Sequence, residues 1–494
     1  MAVLAIDAGT TGVTALVVEV DGKIIAKSHR EFPQYFPRVG WVEHDPEEIW
    51  QATLAAVKDA IEQSGTTPTA LGITNQRETV VLWDKDTLKS PCKALVWQDR
   101  RTANLIVDIR NSGIEEDIRR KTGLGLDPYF SSSKLLWISK NEPEIWAGVT
   151  SGQVLFGTVD SYLVARLTAG RRHVTDASNA SRTQLMDINT GTWDDELLKL
   201  FEVPKSGLPE IVPTYGVIDQ TSPDAFLGLQ IPISGIAGDQ QAALFGQAAF
   251  EVGDNKCTYG TGAFILTNTG RTKVDSSHGL LSTIAWQNPN GEITYALEGS
   301  VFIAGAAVQW LRDGLKIIDS AAEVEELARS VPDDGGLTFV PALSGLGAPF
   351  WDPYARGTMF GITRGTTDGH LARATLQAIA FQVRAVVDAM SQDTKVKLTS
   401  IRADGGAAAN NLLMQMQADC LKIPVIRGMN LESTGLGAAF LAGIGTGIWS
   451  SKKELREVFQ VDRVFDNKKF NEWNYISWQR AVKISRGWAH QGEN

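Results

Sequence analysis

Two short turns rich in glycine and threonine constrain the fold of this 494-residue chain more than any other feature. Residues 7–12 read Asp-Ala-Gly-Thr-Thr-Gly, and residues 259–262 read Tyr-Gly-Thr-Gly. Each turn separates two apolar or β-branched segments, a pattern typical of strands. We call them the first turn and the second turn. Because the same plan of strand, turn and strand occurs in both halves of the chain, we expect two similar lobes.

Helix and strand patterns alternate along the chain. Short apolar runs predict strands at residues 71–74, 80–84 and 93–97. Asp45, followed by Pro46 and two glutamates, predicts the start of a helix that Gly65 ends. This alternation predicts an α/β fold with mixed sheets flanked by helices. We place the boundary near residue 250, which gives an N-terminal lobe of residues 1–250, a C-terminal lobe of residues 251–494 and an interlobe cleft.

The composition argues against several classes of protein. Hydrophobic residues make up 43% of the chain and charged residues 21%, which is ordinary for a globular protein. The net charge of −10 leaves no basic surplus to neutralise a phosphate backbone, so nucleic acid is not expected as a partner. Cys92, Cys257 and Cys420 are too widely separated to suggest a disulfide framework or a zinc site.

The hydropathy pattern argues against a membrane protein. No segment approaches the run of about 18 apolar residues that a membrane-spanning helix needs. The N-terminus reaches Asp7 within one predicted strand and lacks the charged region of a signal peptide. Together with the unpaired cysteines, these observations predict a cytoplasmic protein that does not insert into membranes.

Both turns suit the binding of phosphate. Glycine allows close approach to the backbone, successive N–H groups form a concave anion site, and threonine hydroxyls add donors. Asp7 is placed to hold a hydrated Mg²⁺, which prefers one or two carboxylates together with phosphate oxygens. Either turn alone could be an ordinary hairpin, but two of them favour a nucleotide held between lobes. The absence of a G-x-x-x-x-G-K-[ST] motif, and of a G-x-G-x-x-G motif after a strand, argues against P-loop enzymes and Rossmann dehydrogenases.

Residues 231–247 combine a strand pattern, two glycines and a small-residue helix, with Asp239 at the junction. Taken alone, Asp239 is best explained as a helix cap, because a carboxylate accepts from the free N–H groups of a helix start. Polar and aromatic residues at other predicted strand ends change that interpretation: Arg77, Glu78, Trp97, Tyr129 and Gln240. Such a set suits a small ligand whose hydroxyls need both donors and acceptors. We therefore favour a catalytic Asp239 in the cleft.

Each of these features also has a simpler explanation. Trp97 and Tyr129 taken singly are explained by core packing, and Arg77 with Glu78 by a solvated ion pair. Residues 345–354 are compatible with a purely structural tight loop. Residues 404–410 contain a glycine pair that enters a helix, which suits either an adenosine lying against the backbone or a close contact between helix and sheet.

Together the motifs resemble those of the FGGY carbohydrate kinases, most closely the members that phosphorylate glycerol. The matching runs follow the family's order over nearly the whole chain: residues 72–79, 96–98, 127–131, 156–160, 173–176, 179–183, 231–247, 258–262, 345–357 and 404–411. The resemblance implies two ribonuclease-H-like lobes, as in actin, hexokinase and Hsp70, that close on ATP and Mg²⁺. It also implies phosphorylation of glycerol to sn-glycerol 3-phosphate by a homodimer or homotetramer.

Carried over by position, the resemblance implies roles for individual residues. The implied glycerol contacts are Arg77, Glu78, Trp97, Tyr129, Asp239, Gln240 and Phe264. The implied nucleotide contacts are Thr10, Thr11, Thr261, Gly305, Gln309, Gly406 and Asn410. Asp7 and Asp239 would position Mg²⁺, and Asp239 would be the general base. Gln240 helps to separate the glycerol-phosphorylating members from xylulokinase-like relatives.

Thr14 departs from the family pattern. The glycerol-phosphorylating members usually carry an arginine at this place that contacts the nucleotide phosphate, so a charge-assisted donor is missing here. One alternative is therefore a kinase for another polyol or ketose, such as erythritol, xylulose or dihydroxyacetone. A second alternative is an actin-like or Hsp70-like ATPase whose output is assembly or client binding, although the set of small-ligand residues argues against it.

Overall fold

Two large mixed sheets organise the chain, of which the computed structural model describes residues 1–489. The strands before residue 250 are β1 Ala2–Ala8, β2 Gly12–Glu19, β3 Ile24–Glu31, β4 Glu43–His44, β5 Ala70–Asn75, β6 Val81–Asp84, β7 Ala94–Leu95, β8 Val154–Gly157, β9 Val174–Asp176, β10 Met186–Asp187, β11 Thr192–Trp193, β12 Glu210–Val212, β13 Tyr215–Gln220 and β14 Pro232–Gly238. The α-helices of this part are α1 Pro46–Ser64, α2 Ala103–Asn111, α3 Glu115–Thr122, α4 Ser131–Asn141, α5 Pro143–Ser151, α6 Val159–Leu167, α7 Ala177–Ala180, α8 Asp195–Leu200 and α9 Asp239–Gly246.

The second part of the chain repeats this mixture of strands and helices. Its strands are β15 Asn255–Tyr259, β16 Ala263–Gly270, β17 Leu281–Gln287, β18 Ile293–Val301, β19 Thr338–Val340, β20 Thr358–Phe360, β21 Ile401–Asp404, β22 Val425–Gly428 and β23 Val461–Phe465. Its α-helices are α10 Gly305–Asp313, α11 Glu323–Arg329, α12 Asp368–Thr394, α13 Asn411–Leu421, α14 Ser433–Thr446, α15 Lys452–Val458 and α16 Glu472–Ser485.

Read in opposite directions, the two large sheets share an arrangement of six strands, and the second sheet has β17 as an additional edge strand. The first sheet runs β13-β14-β5-β1-β2-β3, and the second runs β17-β18-β16-β15-β21-β22-β23. In each, a central strand pairs antiparallel with the next strand along the chain and parallel with a later one: β1 with β2 and β5, and β15 with β16 and β21. The predicted α/β fold with two similar lobes and mixed sheets is therefore confirmed. The boundary near residue 250 remains a prediction.

The first and second turns occupy equivalent positions in the two sheets. The first turn joins β1 to β2 after the pair Ala8 and Val13, and the second joins β15 to β16 after the pair Tyr259 and Ala263. Each turn is closed by a backbone hydrogen bond, from Gly9 N to Gly12 O (3.0 Å) and from Gly260 N to Gly262 O (2.9 Å). The sequence pattern of strand, glycine turn and strand thus predicted both turns correctly.

Elsewhere, local sequence signals predicted the bounds of one helix correctly and those of one strand incorrectly. Helix α1 follows Asp45, whose side chain accepts from Glu47 N, and ends at Gly65 in the left-handed region (φ 61°), as expected. The strand predicted at residues 93–97 was too long, because the chain turns at Val96, where Asp99 N donates to Val96 O (2.9 Å). Trp97 therefore lies on this turn beyond β7.

Helix α14 is the element that ties the C-terminal part of the chain to the first sheet. It contacts β5, β14 and α9 through a surface of small residues. A Cβ at Gly437 would lie 1.8 Å from Ala242 O on α9, and a Cβ at Gly72 on β5 would lie 2.0 Å from Ala438 O. Only glycine allows these backbones to approach so closely. The face of the first sheet behind Asp239 is consequently covered by residues that come more than 180 positions later.

Candidate active site

The first turn is connected by hydrogen bonds to the loops that follow β5 and β7. Gln76 Nε2 donates to Gly9 O (3.0 Å), and Thr79 Oγ1 donates to Gln76 Oε1 (2.9 Å). Trp97 Nε1 donates to Thr10 Oγ1 (2.9 Å). Because an indole N–H can only donate, the hydroxyl hydrogen of Thr10 points elsewhere and is available to an anion in the turn. This turn therefore has one threonine with a defined orientation.

Thr11 lies in the same turn and is held by its backbone, since Phe32 N donates to Thr11 O (3.3 Å). On the neighbouring strands, Thr14 Oγ1 lies 2.9 Å from His29 Nδ1. Lys27 on β3 forms an ion pair with Glu432, the residue that precedes α14. Cationic groups are thus present on β3 although Thr14 itself carries no charge.

The second turn is connected to α10. Thr261 O accepts from Ala304 N (2.9 Å) and Ala306 N (3.0 Å), and Gly305 N donates to Gly260 O (3.0 Å). A Cβ at Gly305 would lie 2.5 Å from Gly260 O, so the contact requires glycine. Two of the predicted nucleotide contacts, Thr261 and Gly305, are therefore adjacent.

The remaining predicted nucleotide contacts lie on α10 and after β21. Gln309 is one helical turn beyond Gly305 and is exposed. Gly405 adopts a φ of +83° with its Cα against the backbone of Tyr259, and Gly406 begins the 3₁₀ turn that follows. Asn410 caps α13, where its Oδ1 accepts from Leu413 N (2.8 Å). The structure therefore groups the second turn, the start of α10 and residues 405–410 at one end of the second sheet.

A buried network of four charged residues joins the two sheets. Arg77 makes two hydrogen bonds to Glu298 on β18, Nη1 to Oε2 (2.6 Å) and Nη2 to Oε1 (3.0 Å). Arg182 donates from Nε to Glu78 Oε1 (2.7 Å) and from Nη2 to Glu298 Oε1 (3.2 Å). Burial alone would raise the pKa of Glu298, but the guanidinium groups of Arg182 and Arg77 hold it at about 2. The pair Arg77 and Glu78 is therefore buried, which contradicts the simpler explanation of a solvated pair.

Asp239 is the first residue of α9, and Gly238 occupies the N-cap position. Asp239 is therefore not the N-cap residue itself, and its side chain turns toward Arg77, whose Nε lies 3.1 Å from Asp239 Oδ1. Gln240 N donates to the same oxygen (2.7 Å). No described residue donates a hydrogen bond to Oδ2, and the side chain is 30% exposed. One carboxylate oxygen is held in place and the other is accessible.

Contacts link the predicted glycerol-binding residues to Asp239. The rings of Trp97 and Tyr129 meet edge to face with centroids 5.6 Å apart. Burial raises the pKa of Tyr129, and the nearby Glu78 carboxylate raises it further. From β15 of the second sheet, Lys256 donates both to Gln240 Oε1 and to Phe264 O (3.2 Å). We refer to Arg77, Glu78, Trp97, Tyr129, Gln240 and Phe264 as the polar pocket.

The carboxylates of Asp7 and Asp239 lie close enough for their charges to interact. Burial raises the pKa of Asp7 to about 8, and the negative charges of Asp239 and then Glu432 add to the rise, while Lys27 opposes it. Two carboxylates that repel each other in this way would be stabilised by a cation between them. Within residues 1–489 no group of three or more His, Cys, Asp or Glu residues could hold a metal ion. A cation here would complete its shell with phosphate oxygens and water, as Mg²⁺ prefers.

Three residues of the site were not predicted from the sequence: Arg182, Glu298 and Lys256. Arg182 belongs to the matching run at residues 179–183 but received no role. Glu298 and Lys256 each stand within a predominantly buried strand, β18 and β15. A single charged residue inside a buried strand is unusual unless it is paired, and this signal would have identified both.

Domain models and similar proteins assign this chain to the same family. The models of the N-terminal and C-terminal domains of the FGGY family of carbohydrate kinases match residues 2–246 and 255–446. The chain is 52% identical to glycerol kinase 2 of Thermotoga maritima over 98% of its own length and 99% of that protein. It is 51% identical to glycerol kinase of Carboxydothermus hydrogenoformans, with 98% of each chain covered.

Solved structures agree with these relatives. A crystal structure of Plasmodium falciparum glycerol kinase with ADP superposes with a TM-score of 0.90 and 36% identity, covering 98% of both chains. A ligand-bound xylulose kinase from Lactobacillus acidophilus superposes with a TM-score of 0.87 and 25% identity, covering 98% of this chain and 96% of the other. No described helix is long and apolar enough to cross a membrane.

Because both domain models of the family match this chain, it belongs to the FGGY family of carbohydrate kinases.

Proposed function

We propose that this protein transfers the γ-phosphoryl group of ATP to glycerol and releases ADP and sn-glycerol 3-phosphate. The observation that carries the proposal is the similarity to glycerol kinases, 51–52% identity over 98% of the chain. We further propose that it acts in the cytoplasm as a homodimer or homotetramer, as the family resemblance implies. Relatives this similar over their whole length support glycerol as the substrate. The site supports phosphoryl transfer as the reaction.

The polar pocket supports the binding of a small polyol. Glu78 Oε1 is occupied by Arg182, and no described residue donates to Glu78 Oε2, which leaves an acceptor for a hydroxyl. Trp97 and Tyr129 offer apolar ring surface for the carbon chain. Gln240 adds an amide beside Asp239. Acceptors, donors and ring surface together match what a chain of adjacent hydroxyls needs.

Asp239 is suited to the role of general base. Its accessible Oδ2 would take the proton from the attacking primary hydroxyl of glycerol, while Arg77 and Gln240 N hold Oδ1. The new bond joins the glycerol oxygen to the γ-phosphorus, and the bond from that phosphorus to the oxygen bridging to ADP breaks. A carboxylate is a weak base for an alcohol, but the loose transition state of phosphoryl transfer asks for little activation of the nucleophile.

The two turns are suited to hold the phosphates. Thr10, Thr11 and Thr261 present backbone N–H groups and hydroxyls, and residues 405–410 offer open backbone for adenosine. Mg²⁺, held by Asp7 and Asp239, would neutralise phosphate charge. Positioning and electrostatic stabilisation then account for most of the rate acceleration in this class of reaction.

A substrate screen tests the proposal. ADP release is measured with ATP and glycerol, erythritol, xylulose or dihydroxyacetone, and the product with glycerol is identified by a dehydrogenase specific for sn-glycerol 3-phosphate. We expect the highest kcat/KM for glycerol. A higher kcat/KM for a ketose would make this a kinase of another substrate. ATP hydrolysis that no polyol stimulates, together with filament formation, would instead support an actin-like ATPase.

A further inference from the structure

Lys256 is a fully buried lysine on β15 that the proposed function leaves unexplained. Its ammonium donates to three oxygens: Gln240 Oε1, Thr258 Oγ1 at 2.9 Å and Phe264 O at 3.2 Å. An ammonium has three hydrogens and no acceptor, so these contacts satisfy the group completely. A buried lysine with every donor used is a fixed part of the structure.

The position of Lys256 follows from the pairing of β15 with β16. Lys256 lies opposite Leu266, and Thr258 lies opposite Phe264. Because side chains alternate along a strand, Lys256 and Thr258 point to the same face of the second sheet. That face packs against α9, since Leu266 shares a core with Leu244 and Phe245. Lys256 thus reaches from the second sheet to the first turn of α9, where Gln240 lies beside Asp239.

The chemistry of Lys256 determines which way the Gln240 amide faces. A donor-only ammonium requires the amide oxygen, so Gln240 Nε2 must point away from Lys256. No described residue accepts a hydrogen bond from Gln240 Nε2. The two N–H donors of this amide therefore point away from Lys256 and remain available to a ligand next to Asp239.

We propose that Lys256 is a positioning residue for substrate recognition, which holds the Gln240 carboxamide so that it donates to a hydroxyl oxygen of the polyol. The inference rests on the proposed function, because it assigns the orientation of one group in the same site. Without Lys256 the amide could rotate by about 180° and present its oxygen instead. If Lys256 had a purely structural role, its replacement would lower the stability of the protein and weaken the binding of glycerol and of ATP equally.

The test compares Lys256→Met, Gln240→Ala and the double variant by steady-state kinetics with glycerol and ATP. For Lys256→Met we expect a rise of about tenfold in the KM for glycerol, the value of one net hydrogen bond to the substrate. The kcat and the KM for ATP should stay within about twofold. In the Gln240→Ala background, Lys256→Met should raise the KM for glycerol no further, because its effect acts through Gln240.

Lys452 provides a matched control. It is a partly buried lysine, whose Nζ lies 4.7 Å from the ring centroid of Trp286, outside the polar pocket. Lys452→Met should leave both KM values unchanged. An unchanged KM for glycerol in Lys256→Met would overturn the inference, as would an equal rise of this KM in the Gln240→Ala background.

A second variant covers the case in which Lys256→Met does not fold. Lys256→Gln keeps a neutral amide that can face Gln240 with either its oxygen or its nitrogen, so we expect a rise of about threefold in the KM for glycerol. A KM equal to that of the wild type would again overturn the inference. The wild-type enzyme in the same assay separates this result from a failure of the proposed function. No phosphorylation of glycerol by the wild type would overturn both.

Discussion

The two carboxylate oxygens of Asp239 lie in different surroundings. Oδ1 lies 3.1 Å from Arg77 Nε and accepts from Gln240 N, whereas Oδ2 has no donor among the described residues and is left for the substrate. A side chain held through one oxygen keeps the other in a defined direction, which is what proton transfer in a transition state requires. The proton of the substrate hydroxyl would therefore move to one atom, Oδ2.

Asp239→Asn should lower kcat for glycerol phosphorylation by about 10²–10⁴-fold, because an amide cannot take the proton. The fold should be retained, since the amide oxygen can still accept from Gln240 N. ADP release at saturating glycerol measures the effect, and circular dichroism checks the fold. Asp313→Asn, which alters an exposed aspartate paired with Arg312, is the control and should match the wild type. Near-normal turnover in Asp239→Asn would remove the residue from this role.

Trp97 should serve nucleotide binding as well as the polar pocket. Its Nε1 donates to Thr10 Oγ1, and Trp97→Phe keeps an aromatic ring but removes that donor. We expect ADP to bind more weakly without glycerol, by about 0.5–1.5 kcal/mol, the usual net value of one hydrogen bond. Calorimetry with ADP measures the change. Tyr129→Phe should leave ADP affinity unchanged, and an unchanged affinity in Trp97→Phe would show that the hydrogen bond has no such role.

For single residues, the sequence motifs identified most of the candidates but not the contacts between them. The resemblance named Arg77, Glu78 and Asp239, and the structure places all three in one network. It could not reveal Glu298, which pairs with Arg77 from 221 positions away. Pairing between residues of different sheets has no local sequence signature. The only sequence signal for Glu298 was the presence of a charged residue within a buried strand.

Among the elements, α9 and α14 are the pair on which the position of Asp239 depends. Gly246 and Gly437 lie in their contact, where a Cβ on Gly246 would come within 2.1 Å of Ser433 O. Backbones this close leave no room for even a methyl group. Any separation of the two helices would move the first residue of α9, which is Asp239.

Gly437→Ala should destabilise the protein by about 1–3 kcal/mol through overpacking, and it should also lower kcat because α9 shifts. Thermal unfolding and ADP release measure the two effects. Gly365→Ala is the matched control, because the nearest atom to its new Cβ, Thr363 Oγ1, lies 3.8 Å away, which is an ordinary contact. A variant Gly437→Ala as stable as Gly365→Ala would contradict the argument.

The elements themselves were largely predictable where a local signal existed. The cap of α1 at Asp45 and the end of this helix at Gly65 follow from the chemistry of those residues. The contact between α9 and α14 was not predictable, because a stripe of small residues does not say which surface it packs against. The strand predicted at residues 93–97 was too long for a similar reason. The turn at Val96 depends on a hydrogen bond that residue propensities for strand do not describe.

For the whole molecule, two shielded histidines make a contribution to stability that is lost in acid. Burial lowers the pKa of His44 and of His173 to about 4 in each case. His173 Nε2 lies 2.9 Å from Phe156 O, so the neutral ring donates there. In the unfolded chain both groups return to a pKa near 6.5. At these two side chains the unfolded state then binds more protons between about pH 6.5 and 4, so their contribution to stability falls as the pH is lowered through that range.

His173→Gln, which keeps a donor for Phe156 O, should reduce this acid sensitivity. The difference in unfolding free energy between wild type and variant should change by up to about 1.4 kcal/mol per pH unit below pH 6.5. Urea unfolding near pH 7 and near pH 5 measures it. Buried carboxyls act in the opposite direction, since burial and then Asp176 raise the pKa of Asp160 to about 7, so both proteins are compared at each pH. Parallel curves for wild type and variant would contradict the prediction.

The packing of α14 on the first sheet also has a consequence for biosynthesis. The last strand of that sheet, β14, ends at Gly238, but the helix that covers it ends at Thr446. A ribosome adds about 5–20 residues per second, so the apolar face of the sheet stays uncovered for roughly 10–40 s. During that interval the nascent chain presents the surface that chaperones bind. A longer interval before α14 is made should therefore lower the yield of folded protein through aggregation.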